Sequence, residues 1–270
     1  MRDMYENAVR IACIMVQFLA LTFIFVRAIR LVRRVPRAMP AVLFAFAIMT
    51  FLVSDLYWLA FILMKQGTRL PFTPSEIADD GVLLLYGSGM ISMYRDRPER
   101  TTGLAIASAI FAMANIALWI GWSGEWVKDI IGCFPFGYMV YGCVRALKLS
   151  GAFSRREWTL IGVGCAVLLT VQAAIFFCPD SLARGLDAFC YVVLFAGIAW
   201  FVYKLARAWR HSGAEICTVI AFSTICWCMC ALYMSADPIW FIIDLVTTVM
   251  LFPALLALEK QMAQRQVTVP

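Results

Sequence analysis

Histidine is almost missing from this chain: His211 is the only one in 270 residues, and it lies in a basic segment rather than an apolar one. That excludes helix-borne histidine metal sites, an intramembrane Ser–His hydrolase and the H-E-x-x-H zinc protease pattern. No Gly-rich phosphate loop of the G-x-x-x-x-G-K type occurs. Nor does a lysine lie deep in the last apolar stretch, where Lys260 comes only after Glu259 at the end, which argues against a retinal Schiff base. Charge is scarce as well, at 15% of residues, against about 25% in an ordinary soluble domain. With 63% apolar residues and a mean hydropathy of +0.83, the main solvent of this chain is lipid. Carboxylates, thiols, hydroxyls and aromatic rings are left to carry chemistry. No cofactor and no metal is implied by any motif.

A hydrocarbon core of about 30 Å needs roughly 20 apolar residues per helix. That length predicts nine spans, at Ala8–Val26, Pro40–Met64, Pro74–Tyr94, Gly103–Trp122, Trp126–Leu147, Trp158–Cys178, Asp187–Tyr203, Ile216–Met234 and Pro238–Leu258. The expected fold is therefore all-α, a polytopic helical bundle forming a single membrane domain over residues 1–270, with no connection long enough to fold alone. The first stretch is not a signal peptide on this reading, because Asp3 and Glu6 precede it where a basic region and then a cleavage site belong.

Of the 23 lysines and arginines, all but Arg2, Arg10, Lys65, Arg69, Lys128 and Arg184 follow the odd-numbered spans. Because Lys and Arg bias loops toward the cytoplasm, this sets the N-terminus outside and the C-terminus inside, in a plasma membrane or bacterial inner membrane. Acids run the other way, with Asp3, Glu6, Glu76, Asp79, Asp80, Glu125, Asp129, Asp180, Asp187 and Asp237 on the outer side. The basic inner face fits anionic lipid of the bilayer, and nothing points to nucleic acid.

After the first span the chain reads as four helical hairpins. Each closes on the outside with aromatic residues, such as Leu56-Tyr57-Trp58, and reopens with an acid: Asp80, Asp129, Asp187 and Asp244. Interfacial Trp and Tyr and N-terminal acids are common to membrane helices, so the pattern is weak as a duplication. Thr73-Pro74-Ser75-Glu76 is a capping box with proline at the first helical position. Glu76, Asp79 and Asp80 then crowd one side of that helix. Either cations compensate them or at least one carries a proton. Glu76 itself reads best as a solvated rim residue.

Asp55 lies about 14 Å below the outer end of its span, and Asp244 about 9 Å, with Asp80 at a similar depth. An ionisable residue inside a span faces the bundle interior or a water-filled cavity. Asp55, Asp80 and Asp244 are thus expected to line one outward acidic pocket, with Asp79, Glu76, Tyr57 and Trp58 beside them. The competing reading is structural pairing, with Arg10 the nearest cation by depth.

Other signals are weaker. Gly132-Cys133-Phe134-Pro135-Phe136-Gly137 and Pro253 mark spans that either kink for packing or break to line a site, the kink being commoner. Gly81, Gly87 and Gly89 read as close-packing positions. Nearly all the cysteines lie in spans as small packing residues; Cys178 and Cys190 are placed where a disulfide is conceivable, and Cys226-Trp227-Cys228-Met229-Cys230 reads as core rather than a soft-metal site.

Four functions fit this reading. They are a small permease or ion-coupled transporter for a cation or amine; a ligand sensor signalling through a partner membrane or cytosolic protein; a carboxylate-based lipid enzyme; and a structural subunit. The expected order puts transport first and does not favour an enzyme.

Overall fold

The structure is a computed structural model describing residues 2–35, 38–64, 73–97, 101–124, 126–235 and 239–268; the side chains of residues 2–10, 62, 123 and 265–268 are outside that description. Of the charged residues used above, Arg37, Lys65, Arg69, Arg100, Glu125 and Asp237, and the side chains of Arg2, Asp3, Glu6, Arg10 and Arg265, thus lie outside the described residues. Among the described residues there are nine α-helices and no strand. They are α1 (Arg2–Arg34), α2 (Met39–Met64), α3 (Pro74–Met93), α4 (Thr102–Ser123), α5 (Trp126–Ser150), α6 (Arg155–Ile175), α7 (Asp180–His211), α8 (Ala214–Leu232) and α9 (Ile239–Thr268).

Eight of these helices are long and apolar enough to cross a membrane. The exception, α3, has 20 residues but carries Glu76, Asp79 and Asp80 near its start. At 1.5 Å per residue it still spans about 30 Å. It is packed between α2 and α5, so those carboxylates are held within protein rather than in lipid. The chain is a multi-pass membrane protein with a polytopic helical fold.

The four expected hairpins all form, with α2 against α3, α4 against α5, α6 against α7 and α8 against α9. Helices α1, α2, α3, α5, α8 and α9 close a ring, each touching the next. A second ring runs α5, α4, α6, α7, α8 and shares the α5–α8 edge. Helix α8 is therefore the most enclosed, while α6 buries only Leu168 and presents its remaining surface outward.

Local chemistry explains the ends. Thr73 caps α3 as its sequence predicts, its backbone N–H donating to Glu76 Oε2 at 3.1 Å, with Pro74 following. Ser154 and Glu157 form a second capping box on α6. Gly124 ends α4 with φ at 76°, a left-handed conformation that L side chains resist. At the basic end Arg145 donates to the carbonyls of Tyr94 and Arg97 at 3.2 and 3.3 Å, tying α5 to the turn that follows α3. The Arg27–Glu259 fork, at 2.9 and 2.8 Å, ties α1 to α9.

Two open alternatives close on their commoner side, and one reading needs correction. Helices α5 and α9 run unbroken through Pro135 and Pro253, so neither span is interrupted. Such prolines persist because neighbouring helices and local adjustment accommodate the lost backbone hydrogen bond. Cys178 and Cys190 are both free thiols. Cys190 lies ten residues into α7, about 15 Å along its axis from the end near Cys178, beyond a disulfide's reach. Of the three glycines in α3, only Gly87 is tight: a Cβ there would meet Tyr138 and the Met139 backbone at 2.9 and 3.0 Å. Gly81 and Gly89 have ordinary room, at 3.5 and 3.8 Å.

Candidate ligand pocket

The first ring encloses a cavity of about 860 Å³ at its acidic end. Its walls come from α1, α2, α3, α8 and α9 of the ring, from the start of α5, and from α4, which leans in from outside. Asp55, Asp79, Asp80, Asp129, Asp244 and Glu76 all line it, together with one described cation, Lys128. Asp55, Asp80 and Asp244 thus stand on the walls of one cavity, each from a different helix.

The carboxylates fall into two groups. At the rim, Lys128 of α5 places its Nζ 3.1 Å from Glu76 Oε1. Glu76 is only 8% exposed, so its assignment to a solvated rim is corrected. An ammonium from α5 and the Thr73 cap give it charge and hydrogen bonds inside the protein. Lys128 also acts electrostatically on Asp80 and Asp79. Lys128 thus stands as a cation beside the three crowded carboxylates.

Deeper in the cavity, Asp55, Asp79 and Asp244 approach from α2, α3 and α9, each close enough to feel another's charge. Ser54 of α2 lies beside Asp79, and Gln17 of α1 lies beside Asp244. Asp55 is 6% exposed, and its Oδ2 has no hydrogen-bond partner among the described residues. Gln17, 5% exposed, leaves its Nε2 outside hydrogen-bond geometry. Orphaned buried polar atoms in a protein interior are uncommon and call for an occupant or a role. Arg10, proposed as the structural partner, has its side chain outside the described residues.

Of the paired aromatics in α2, Trp58 lines the cavity and Tyr57 does not. Tyr57 instead stacks on Phe61, with ring centroids 6.4 Å apart. Adjacent helical residues point about 100° apart, and the inward face runs through Ser54, Asp55, Trp58 and Phe61 at helical spacing. Tyr57 is therefore removed from the candidate site.

The floor is closed. One turn beyond Leu83, Tyr86 stacks on Phe222 at 4.9 Å and donates its hydroxyl to the Phe222 carbonyl at 2.7 Å. Phe44 packs on the same ring at 5.1 Å. These three, from α2, α3 and α8, seal the ring toward its basic end.

Sequence reading missed Gln17, Ser54 and the role of Lys128. Gln17 is the one amide in its apolar stretch, and that was its signal. Lys128 left none beyond its outer position. Asp187, grouped with the other hairpin acids, belongs elsewhere: it lines a smaller cavity of about 270 Å³ between α4, α6, α7 and the turn that follows α8. The Cys226–Cys230 run divides as its spacing implies, with Cys226 and Cys230 toward Cys143 of α5 and Cys228 toward Thr247 of α9. Comparison with known proteins returns no matching family model, curated protein or solved structure.

Proposed function

We propose that this multi-pass protein is a small permease of the plasma membrane, one that takes a cationic solute from the acidic face and releases it at the basic one. The observation that carries the reading is the charge of the pocket: six carboxylates and one described ammonium line a single cavity, sealed below by Phe44, Tyr86 and Phe222. A cavity so lined concentrates cations and rejects anions. Ionisable side chains within a span mark ion and substrate pathways in membrane proteins. The site lies inside a ring of six helices, where a shift of one helix pair against another would open the floor while closing the mouth.

In this reading Asp80 gathers the solute beside the Lys128 rim, Asp55 and its deep neighbours hold its charge, and each must let go once per cycle. Purified protein in proteoliposomes, offered a panel of amines and inorganic cations, is expected to accumulate at least one of them. Asp55→Asn and Asp80→Asn should abolish that uptake while the protein still folds, since a neutral isostere removes charge without leaving a cavity. Thermal stabilisation by a cation without flux under any ion gradient would defeat the permease reading and favour a receptor that signals through a partner. Neither stabilisation nor flux would favour a structural subunit.

A further inference from the structure

Resting on the reading of this cavity as a cation site, we propose that its occupant is a primary ammonium on an apolar body, held by Asp55, Asp79 and Asp244, rather than a metal ion or a quaternary ammonium. Size is the first argument. A hard cation such as Ca²⁺ wants six to eight oxygens at about 2.3–2.6 Å, and among the described residues no group of three His, Cys, Asp or Glu is placed to hold a metal ion. The three deep carboxylates share charge across the cavity without converging on a point. Its volume of about 860 Å³ lies in the range that encloses small organic molecules.

Donor chemistry is the second argument. The rim already shows what these carboxylates accept: Lys128 presents a primary alkylammonium to Glu76 at 3.1 Å. The deep group has no such donor among the described residues. The charged groups that reach it are Asp80 and Lys128, both acting on Asp79, and the neutral side chains are Ser54 and Gln17. An ammonium brings three N–H donors to a group that includes the orphaned Asp55 Oδ2. A quaternary ammonium brings none and would bury that oxygen unsatisfied.

The walls give the third. Phe51, Trp58, Phe61 and Trp240 line the same cavity. They offer apolar surface to a carbon body and aromatic faces to a cation.

A matched set of probes tests this by thermal unfolding of the purified chain: benzylammonium, benzyltrimethylammonium, benzyl alcohol, and sodium and calcium chlorides at equal ionic strength. A ligand that binds only the folded state raises the unfolding temperature in proportion to its affinity. Benzylammonium is expected to stabilise saturably, with the quaternary analogue at least tenfold weaker and the alcohol and metal ions without effect. Asp55→Asn and Asp244→Asn should each weaken benzylammonium at least tenfold. Equal binding of the quaternary analogue, Asp55-dependent binding of Na⁺ or Ca²⁺, full benzylammonium affinity in both variants, or no response to any probe would overturn the inference. Selective benzylammonium binding without flux would leave it standing while removing the permease reading, whereas flux of a metal ion or quaternary cation alone would do the reverse.

Discussion

At the scale of single residues, Asp55 and Lys128 are opposites. Lys128 and Glu76 satisfy each other, although Lys128 remains 29% exposed while the Glu76 side chain is 7% exposed. Lys128→Met should therefore cost roughly 2 kcal/mol, below the 3–5 kcal/mol of a fully buried broken pair, because water still reaches one partner. Adding Glu76→Gln should recover most of that loss, and a double-mutant cycle of unfolding free energies checks it. Asp55 has the reverse signature, a buried carboxylate oxygen without a partner. Residues kept for binding often destabilise the empty protein. Asp55→Asn is accordingly expected to raise the stability of the ligand-free chain by about 1 kcal/mol even as it removes binding; a purely structural aspartate would show a loss instead. The depth of Asp55 was legible in its sequence position. Which of Tyr57 and Trp58 faced inward was not, because both suit a membrane interface equally well.

Helices and their contacts set the next scale. The α3–α5 seam brings Gly87 and Gly142 into backbone contact: a Cβ on Gly142 would stand 2.7 Å from the Gly87 carbonyl oxygen. A backbone atom cannot swing aside as a side chain can. Gly142→Ala should destabilise the fold by about 1–3 kcal/mol, whereas Gly89→Ala, with its nearest neighbour at 3.8 Å, should be close to neutral. Chemical unfolding in detergent micelles compares the two. The seam matters to the pocket because α3 carries Asp79 and Asp80 and α5 carries Lys128. The cap at Thr73 was readable from local sequence, whereas those at Ser154 and Gly124 came from the structure. Gly142 was not singled out, since tight crossing of two helices is a property of the pair.

For the whole molecule, one closure and one asymmetry matter. The first ring closes where α1 meets α9, and the Arg27–Glu259 fork lies on that contact, about one-third exposed on the Arg27 side. Glu259→Gln should cost about 1 kcal/mol or less and should weaken the α1–α9 contact without altering solute selectivity, which hydrogen exchange of the two helices would report. The asymmetry is in charge. An enzyme reporter that works only outside the cytoplasm should be active when fused after residue 124 and inactive after residue 151. The opposite pattern would invert the membrane orientation and turn the pocket toward the cytoplasm.

The helical class, the four hairpins and the Thr73 cap followed from sequence by itself, because each depends on short-range physics: a length ruler for lipid, and hydrogen bonds within one turn. The expected separation of acidic and basic ends came from sequence in the same way. What tertiary structure decided was which face of each helix turns inward. A soluble helix announces that face by contrast between apolar and polar sides, but lipid tails are as apolar as leucine, so a membrane helix carries little such contrast. The closing of the ring by α9 against α1 and α8 brought Asp244 to Asp55 and Asp79, and the packing of α2, α3 and α8 left Tyr57 off the cavity wall and laid Tyr86 on Phe222. Those relations exist between helices, and no single stretch of sequence contains them.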